Sequence, residues 1–210
     1  MNAYEKVLKS REKGRPTAVK YIGSIVENFI ELHGDRRFSD DKAIIGGIGT
    51  ISGMPVTVIG IEKGDGTADK IAHNFGCAHP EGYRKAVRLM KEAEKFRRPV
   101  LCFVDTSGAY CGSAEERGQS EAIATSILEM IRLKTPTLSI IIGEGGSGGA
   151  LSLCAADEVW ITSNSTYSVI SPEGCASILW KDSGKVAEAS ESLKLTADDL
   201  VSLGAVEKIF

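Results

Sequence analysis

Between Thr137 and Leu153 the chain reads TLSIIIGEGGSGGALSL, and no other stretch restricts the possible fold as strongly. An apolar run, Leu138 to Ile142, enters five glycines within seven residues: Gly143, Gly145, Gly146, Gly148 and Gly149. An isoleucine-rich run of this length suits a buried strand. Clustered glycines allow main chain to approach a ligand closely and to take positive φ. Ala150, Leu151 and Leu153 then open a helix, whose leading N–H groups lack acceptors of their own and attract negative charge. The stretch predicts a strand, a tight backbone site and a helix N-terminus in succession.

The same pattern occurs once more upstream. Val100 to Val104 (VLCFV) predicts a buried parallel strand. It runs into Asp105–Gly112 (DTSGAYCG), a second loop of small residues, and then a helix over Glu115–Leu133. Asp157 to Thr162 supplies a further strand. Strands alternating with helices predict an α/β fold with a mostly parallel sheet. Both small-residue loops follow strands, so both belong to the carboxyl edge, where open α/β sheets bind ligands.

Elsewhere, Val19, Ile22, Ile25, Val26, Phe29 and Ile30 predict an amphipathic helix over Thr17–Leu32, ended at Gly34. Residues 43–48 and 55–61 predict a hairpin about Ser52-Gly53. The polar connection Glu62–Pro80 is long enough to suggest a functional loop. A helix follows over Glu81–Phe96, stopped by Pro99. Then come a strand at Ser168–Ile170, helices at Glu173–Trp180 and Lys185–Leu193, and a helix start with Thr196 as N-cap and Asp199 at N3. VEKIF predicts a closing strand. We divide the chain into an N-terminal helical segment, 1–40, and one domain, 41–210.

Charge and cysteine usage narrow the partners. A net charge of −3 gives no reason to expect nucleic acid or an anionic membrane. No apolar run reaches the roughly 18–20 residues that span a bilayer. The opening MNAYEKVLKSREKGRP has no apolar signal core, so a cytoplasmic location is expected. The five cysteines form no CxxC pair; Cys102, Cys154 and Cys175 lie in apolar contexts and read as buried thiols. His33, His73 and His79 form no HExxH, and no metal site is expected.

Three chemistries fit the glycine stretch. Gly143-x-Gly145-x-x-Gly148 matches a dinucleotide fingerprint, although the next strand follows too soon and its acids, Asp157 and Glu158, begin it rather than end it. Gly145-Gly-Ser147-Gly-Gly149 matches a nucleophile elbow, although no histidine follows Ser147. An oxyanion hole would instead draw one backbone N–H from each carboxyl-edge loop and need no titrating side chain. Glycines that merely permit tight strand–helix packing remain a fourth reading.

GGIGTISGMPVTVIGIEKG, NFGCAHPEGYRKAVRLMKEAEKF, DTSGAYCGSAEERGQSEAIA, IIGEGGSGGALSL and STYSVISPEGCASILWK, in this order, resemble the carboxyltransferase alpha-subunit family of bacterial acetyl-CoA carboxylase. The resemblance covers Tyr21 to Phe210. It implies a crotonase/ClpP-like fold of ββα units preceded by an N-terminal amphipathic helix. It implies transfer of a carboxyl group from carboxybiotin, carried on biotin carboxyl carrier protein, to acetyl-CoA, giving malonyl-CoA for fatty acid synthesis. It further implies an α2β2 complex whose beta subunit carries a zinc ribbon, no cofactor bound directly by this chain, and ATP used only by a partner biotin carboxylase. Carried over, Gly148, Gly149 and Ala150 are the candidate donors to the ureido oxygen, and Gly108 and Ala109 their partners in the other loop. Lys63, Gly64, Arg84, Tyr110, Gly145, Gly146, Ser171 and Glu173 are candidates for substrate contact, with Lys85 beside Arg84.

The chain departs from the family pattern DTPGAYPGVGAEERGQ at the second loop. Ser107 and Cys111 replace prolines, and one residue is missing before Ala114, which alters stiffness and reach. Cys77-Ala78-His79 replaces a more apolar segment. The alternatives are therefore a subunit of another biotin-dependent acyl-CoA carboxylase or decarboxylase, or a non-catalytic assembly subunit.

Overall fold

A computed structural model describes residues 1–210, apart from the side chain of Ala114. Two short helices, α1 (Ala3–Ser10) and α2 (Ala18–Ile25), precede the edge strand β1 (Glu27–Glu31). The hairpin β2 (Ile44–Ile51) and β3 (Met54–Ile61) follows, then the one-and-a-half-turn α3 (Thr67–Ala72) and the long α4 (Pro80–Lys95). Next come β4 (Val100–Thr106), α5 (Gln119–Arg132), β5 (Thr137–Gly146), α6 (Ser147–Cys154) and β6 (Glu158–Ile161). The chain closes with β7 (Thr166–Ser168), α7 (Pro172–Leu179), α8 (Val186–Ser192), α9 (Ala197–Ser202) and β8 (Lys208–Ile209).

The strands form one sheet in the order β1-β2-β3-β4-β5-β6-β8, and β7 pairs alongside the far end of β5. The first two pairings are antiparallel and the rest parallel, as the strand–loop–helix alternation predicts. Residue alternation along the strands separates two apolar layers. Ile59, Ile61, Cys102, Val104, Ile141 and Ile161 face Tyr83, Leu89 and Met90 of α4, Met130 of α5 and Leu153 of α6. On the opposite face Val58, Phe103, Ile140 and Ile142 meet Ala18 and Ile22 of α2. Cys102, Cys154 and Cys175 are buried free thiols, and burial pushes Cys102 up to about 12.

Several sequence expectations shift. The helix expected over Thr17–Leu32 stops at Ile25: Val26 turns extended, and β1 pairs with β2. Its apolar positions suit helix and strand alike, and sheet pairing decides. Gly47 makes that pairing possible, because a Cβ there would stand 2.1 Å from the Ile30 carbonyl oxygen. The helix expected over Glu115–Leu133 is broken by Gly118 at φ 80° into one 3₁₀ turn, Ser113–Arg117, and α5. The strand expected at 168–170 lies two residues earlier, and Glu62–Pro80 contains α3 and a short turn at Asn74–Gly76. Thr196 caps α9 through the Asp199 N–H, as its spacing predicts. Among the described residues no helix is long and apolar enough to cross a membrane.

Candidate active site

Because β4 and β5 are parallel neighbours, the loops leaving them arrive side by side. The contact is main chain against main chain. A Cβ on Gly149 would stand 2.7 Å from the Ala109 nitrogen and 2.8 Å from the Gly108 carbonyl carbon. A Cβ on Gly146 would stand 2.2 Å from the Ser107 oxygen. Gly148 is different, since its nearest neighbour would be an Ile123 methyl at 3.4 Å. The glycines thus serve close approach. None of the five takes positive φ, contrary to expectation; the left-handed residue at this junction is Ser147, at φ 53°.

Helix α6 starts at Ser147, three residues before the Ala150 start that the sequence suggests, and its cap, Gly146, offers no side-chain acceptor. Ser147, Gly148 and Gly149 hold the first three helical positions, where N–H groups have no intrahelical acceptor. Ala150 holds the fourth, where a regular turn returns the N–H to the cap carbonyl. In the facing loop, the Thr106 hydroxyl accepts the Gly108 N–H at 3.0 Å and donates to the Gly108 carbonyl at 2.7 Å. The Tyr110 N–H goes to the Ala78 carbonyl at 3.0 Å. The Ala109 N–H has no acceptor among the described residues. Of the five residues expected to form the donor site, then, Gly148, Gly149 and Ala109 present N–H groups, Gly108 supplies position, and Ala150 supports the turn.

Beneath these loops lies an ion network joining distant parts of the chain. Asp105, the penultimate residue of β4, is fully buried. Its Oδ1 accepts the Glu144 N–H at 3.1 Å and lies 3.8 Å from Lys63 Nζ; its Oδ2 pairs with Arg15. Glu144 pairs with Lys63 through Oε2 and with Arg11 Nε at 2.6 Å through Oε1. Arg11 also reaches Glu173 at 2.6 Å. Burial disfavours charge on Glu144, but Lys63 and Arg11 outweigh it and hold the carboxyl below its ordinary value. Lys63 and Glu173, expected to touch substrate, are therefore engaged within the protein. A cavity of about 350 Å³ adjoins them, lined by Arg15, Lys63, Gly64 and Lys70 among others.

A family model described as acetyl co-enzyme A carboxylase carboxyltransferase-like matches residues 1–210. The chain belongs to this family. It is 63% identical over its whole length to the acetyl-coenzyme A carboxylase carboxyl transferase subunit alpha of Ruminiclostridium cellulolyticum, spanning 81% of that protein. It is 58% identical to the beta/alpha carboxyl transferase protein of Natranaerobius thermophilus, spanning 35% of that longer chain. Among solved structures, transcarboxylase 12S superposes with a TM-score of 0.81 at 16% identity, over 96% of this chain and 39% of that one. The geranyl-CoA carboxylase beta subunit of P. aeruginosa gives 0.76 at 17%, over 100% and 42%. These likenesses establish the crotonase-like carboxyltransferase fold.

In this carboxyltransferase-like chain the other candidates fall into place around the loops. Arg84 Nε pairs with Asp35 at 2.8 Å and its fork also reaches Glu81, so it bridges α4 to the 35–41 segment. Lys85 is fully buried, donating to the Ile44 carbonyl at 2.7 Å and pairing with Asp40 at 2.8 Å. Neither cation is free for a ligand. Ser171 caps α7 by accepting the Gly174 N–H at 3.1 Å, the plain helix-start role. With Gly145 and Gly146 it lines a small depression beside Ser107. The Tyr110 ring stacks on His79 at 4.0 Å.

The rival chemistries lose support from geometry. Ser147 is exposed at the strand–helix corner, but no histidine hydrogen-bonds to it: Nδ1 of His33, His73 and His79 engages Asp40, Asp69 and Asn74 respectively. Helix α6 has only eight residues, and Asp157 accepts from the Thr137 N–H and hydroxyl instead of facing a ribose. Sequence reasoning missed Asp105, Glu144, Arg11 and Arg15 as a unit. An acid closing a buried strand, and another inside a glycine run, were visible signals; nothing near Arg11 or Arg15 pointed to them.

Proposed function

We propose that this chain is the alpha half of a biotin-dependent carboxyltransferase, moving a carboxyl group from carboxybiotin on biotin carboxyl carrier protein to acetyl-CoA. The observation that carries this reading is the pair of acceptor-free backbone donors, Ala109 N–H on one loop and the α6 N-terminus on the other, meeting across Gly149. Loss of carboxyl from carboxybiotin places negative charge on the ureido oxygen. Fixed N–H donors at a helix N-terminus stabilise such charge, at about 2.7–4 kcal/mol per donor in measured cases. No side-chain base is required of this chain; the acetyl methyl proton passes to the departing biotin group. The beta subunit would bring the CoA site, and the beta/alpha relative, whose name joins both subunits, supports that pairing.

The test is coexpression with a cognate beta subunit and assay of malonyl-CoA-dependent carboxylation of biocytin. Turnover is expected. A stable complex without turnover would reassign the chain as an assembly subunit, and turnover with methylmalonyl-CoA alone would reassign the acyl substrate.

The exposed, left-handed Ser147 at a strand–helix corner favours a second reading, a serine hydrolase. Ser147→Ala separates the two. Carboxyl transfer should fall only modestly, because the position contributes main chain, whereas a hydrolase would lose all esterase activity.

A further inference from the structure

We propose that the Tyr83 hydroxyl is a third donor to the anion received between Ala109 and the α6 N-terminus, an inference that rests on the carboxyltransferase reading above. Tyr83 lies on the first turn of α4, and its ring is fully buried in the layer beneath β3, β4 and β5. Its hydroxyl reaches the junction of the two loops. The point where a Gly149 Cβ would stand is 3.1 Å from this oxygen and 2.7 Å from the Ala109 nitrogen. A phenol, an amide donor and the start of α6 thus converge around one glycine.

The hydroxyl has no hydrogen-bond partner. Among the described residues only Tyr83 Oη and Gln119 Oε1 are buried side-chain polar atoms without one. Both lie under the Asp105–Gly112 loop, since Gln119 Nε2 donates to the Ala78 carbonyl at 2.8 Å and the Tyr110 carbonyl at 3.0 Å. A buried group left unpaired is costly, and phenylalanine would fill the same apolar space without the penalty. The hydroxyl makes sense when its acceptor arrives from outside.

Its electrostatic setting suits donation. Burial, and after it the Asp41 carboxylate and Cys77, push the phenol up, so it keeps its proton at neutral pH. A neutral phenol can donate to a developing oxyanion without acting as a base. The ligand class follows: an oxygen whose charge grows during reaction, borne on a planar delocalised group such as a urea. The Gly108–Ala109 peptide and the hydroxyl border the same point beside Gly149.

The experiment uses Tyr83→Phe in the complex with the beta subunit, with biocytin and malonyl-CoA as probes. We expect kcat to drop about 10- to 100-fold, toward the range seen when an oxyanion donor is removed. KM for malonyl-CoA should stay within about twofold, because the donor acts on charge present only in the transition state. Thermal stability should be equal or higher, since the variant removes an unpaired polar atom. A variant with undiminished kcat, beside an active wild type, overturns the inference alone. A variant that fails to assemble shows a structural role and overturns it as well. An inactive wild-type complex overturns the parent reading, and this inference with it.

Discussion

Gly149→Ala should abolish carboxyl transfer, while Gly148→Ala, one residue away, should leave most of it. The added methyl at 149 would stand 2.7 Å from the Ala109 nitrogen and 2.8 Å from the Gly108 carbonyl carbon. Both are main-chain atoms, which cannot swing aside as a flexible side chain can. The Asp105–Gly112 loop must then move off α6, and the two sets of donors separate. Misplacing one such donor costs about 10²–10³-fold in rate, and here the two sets move apart together. At 148 the methyl meets only an Ile123 methyl at 3.4 Å, an ordinary contact. Both positions gain the same atom on the same helix turn, so helix propensity and N–H count are held constant. The pair is read as transfer rate at saturating substrate, with complex formation checked by gel filtration. Equal rates for the two variants would show that the loop-to-loop contact has no bearing on transfer.

The largest stability effect is expected at Asp105. Its carboxylate is fully buried, accepts from Arg15 and the Glu144 N–H, and lies 3.8 Å from Lys63 Nζ. Asp105→Ala leaves two cations and an amide facing an empty space. Breaking a buried pair from one side costs about 3–5 kcal/mol. In a domain of this size each kcal/mol lowers the melting temperature by about 2–4 °C. Asp105→Asn keeps the shape and one acceptor and should lose less. Denaturant unfolding of all three proteins checks the order, and an Ala variant within about 1 kcal/mol of wild type would contradict it. Transfer should fall in parallel, because the same carboxylate anchors the start of one loop and, through Glu144, the approach to the other.

Much of this was legible from sequence because the signals are local. VLCFV and TLSIII are long enough and apolar enough to be recognised as buried strands, and each is followed at once by its small-residue loop. Parallel pairing then puts both loops at one edge with no further information. What sequence leaves open is who donates to whom. Gly108 and Ala109 look equivalent until the Thr106 hydroxyl is seen to take the Gly108 amide. Ala150 looks like a donor until the helix is found to begin at Ser147. Lys63, Arg84 and Lys85 read as ligand contacts because charge is assigned to solvent by default; each is matched by an acid far away in the chain. The segment after Ile25 fails for another reason, since its pattern fits two periods and only the neighbouring strand chooses.

The loop that departs from the family pattern is also where tight contact is concentrated. Ser107, in a proline position, lays its carbonyl over Gly146, and its hydroxyl lies 3.6 Å from the Cys77 sulfur. Cys111, in the other proline position, is exposed. The loop is held by the Thr106 bonds to Gly108 and by the Tyr110 N–H on the Ala78 carbonyl.

The Arg11 and Arg15 pairings have a consequence for the order of assembly. Arg11 waits for partners 133 and 162 residues downstream, Arg15 for one 90 residues on, and the Ala3 N–H for Glu191, 188 residues away. During synthesis these groups precede their partners by 90 to 188 residues, and the pairings cannot form until those partners have been made. Contacts of such sequence separation form late, since closing the intervening chain must precede any gain from them. The sheet and its two loops can therefore be in place before the latch beneath them engages, and the edge that carries those loops gains this brace only after the strands have paired.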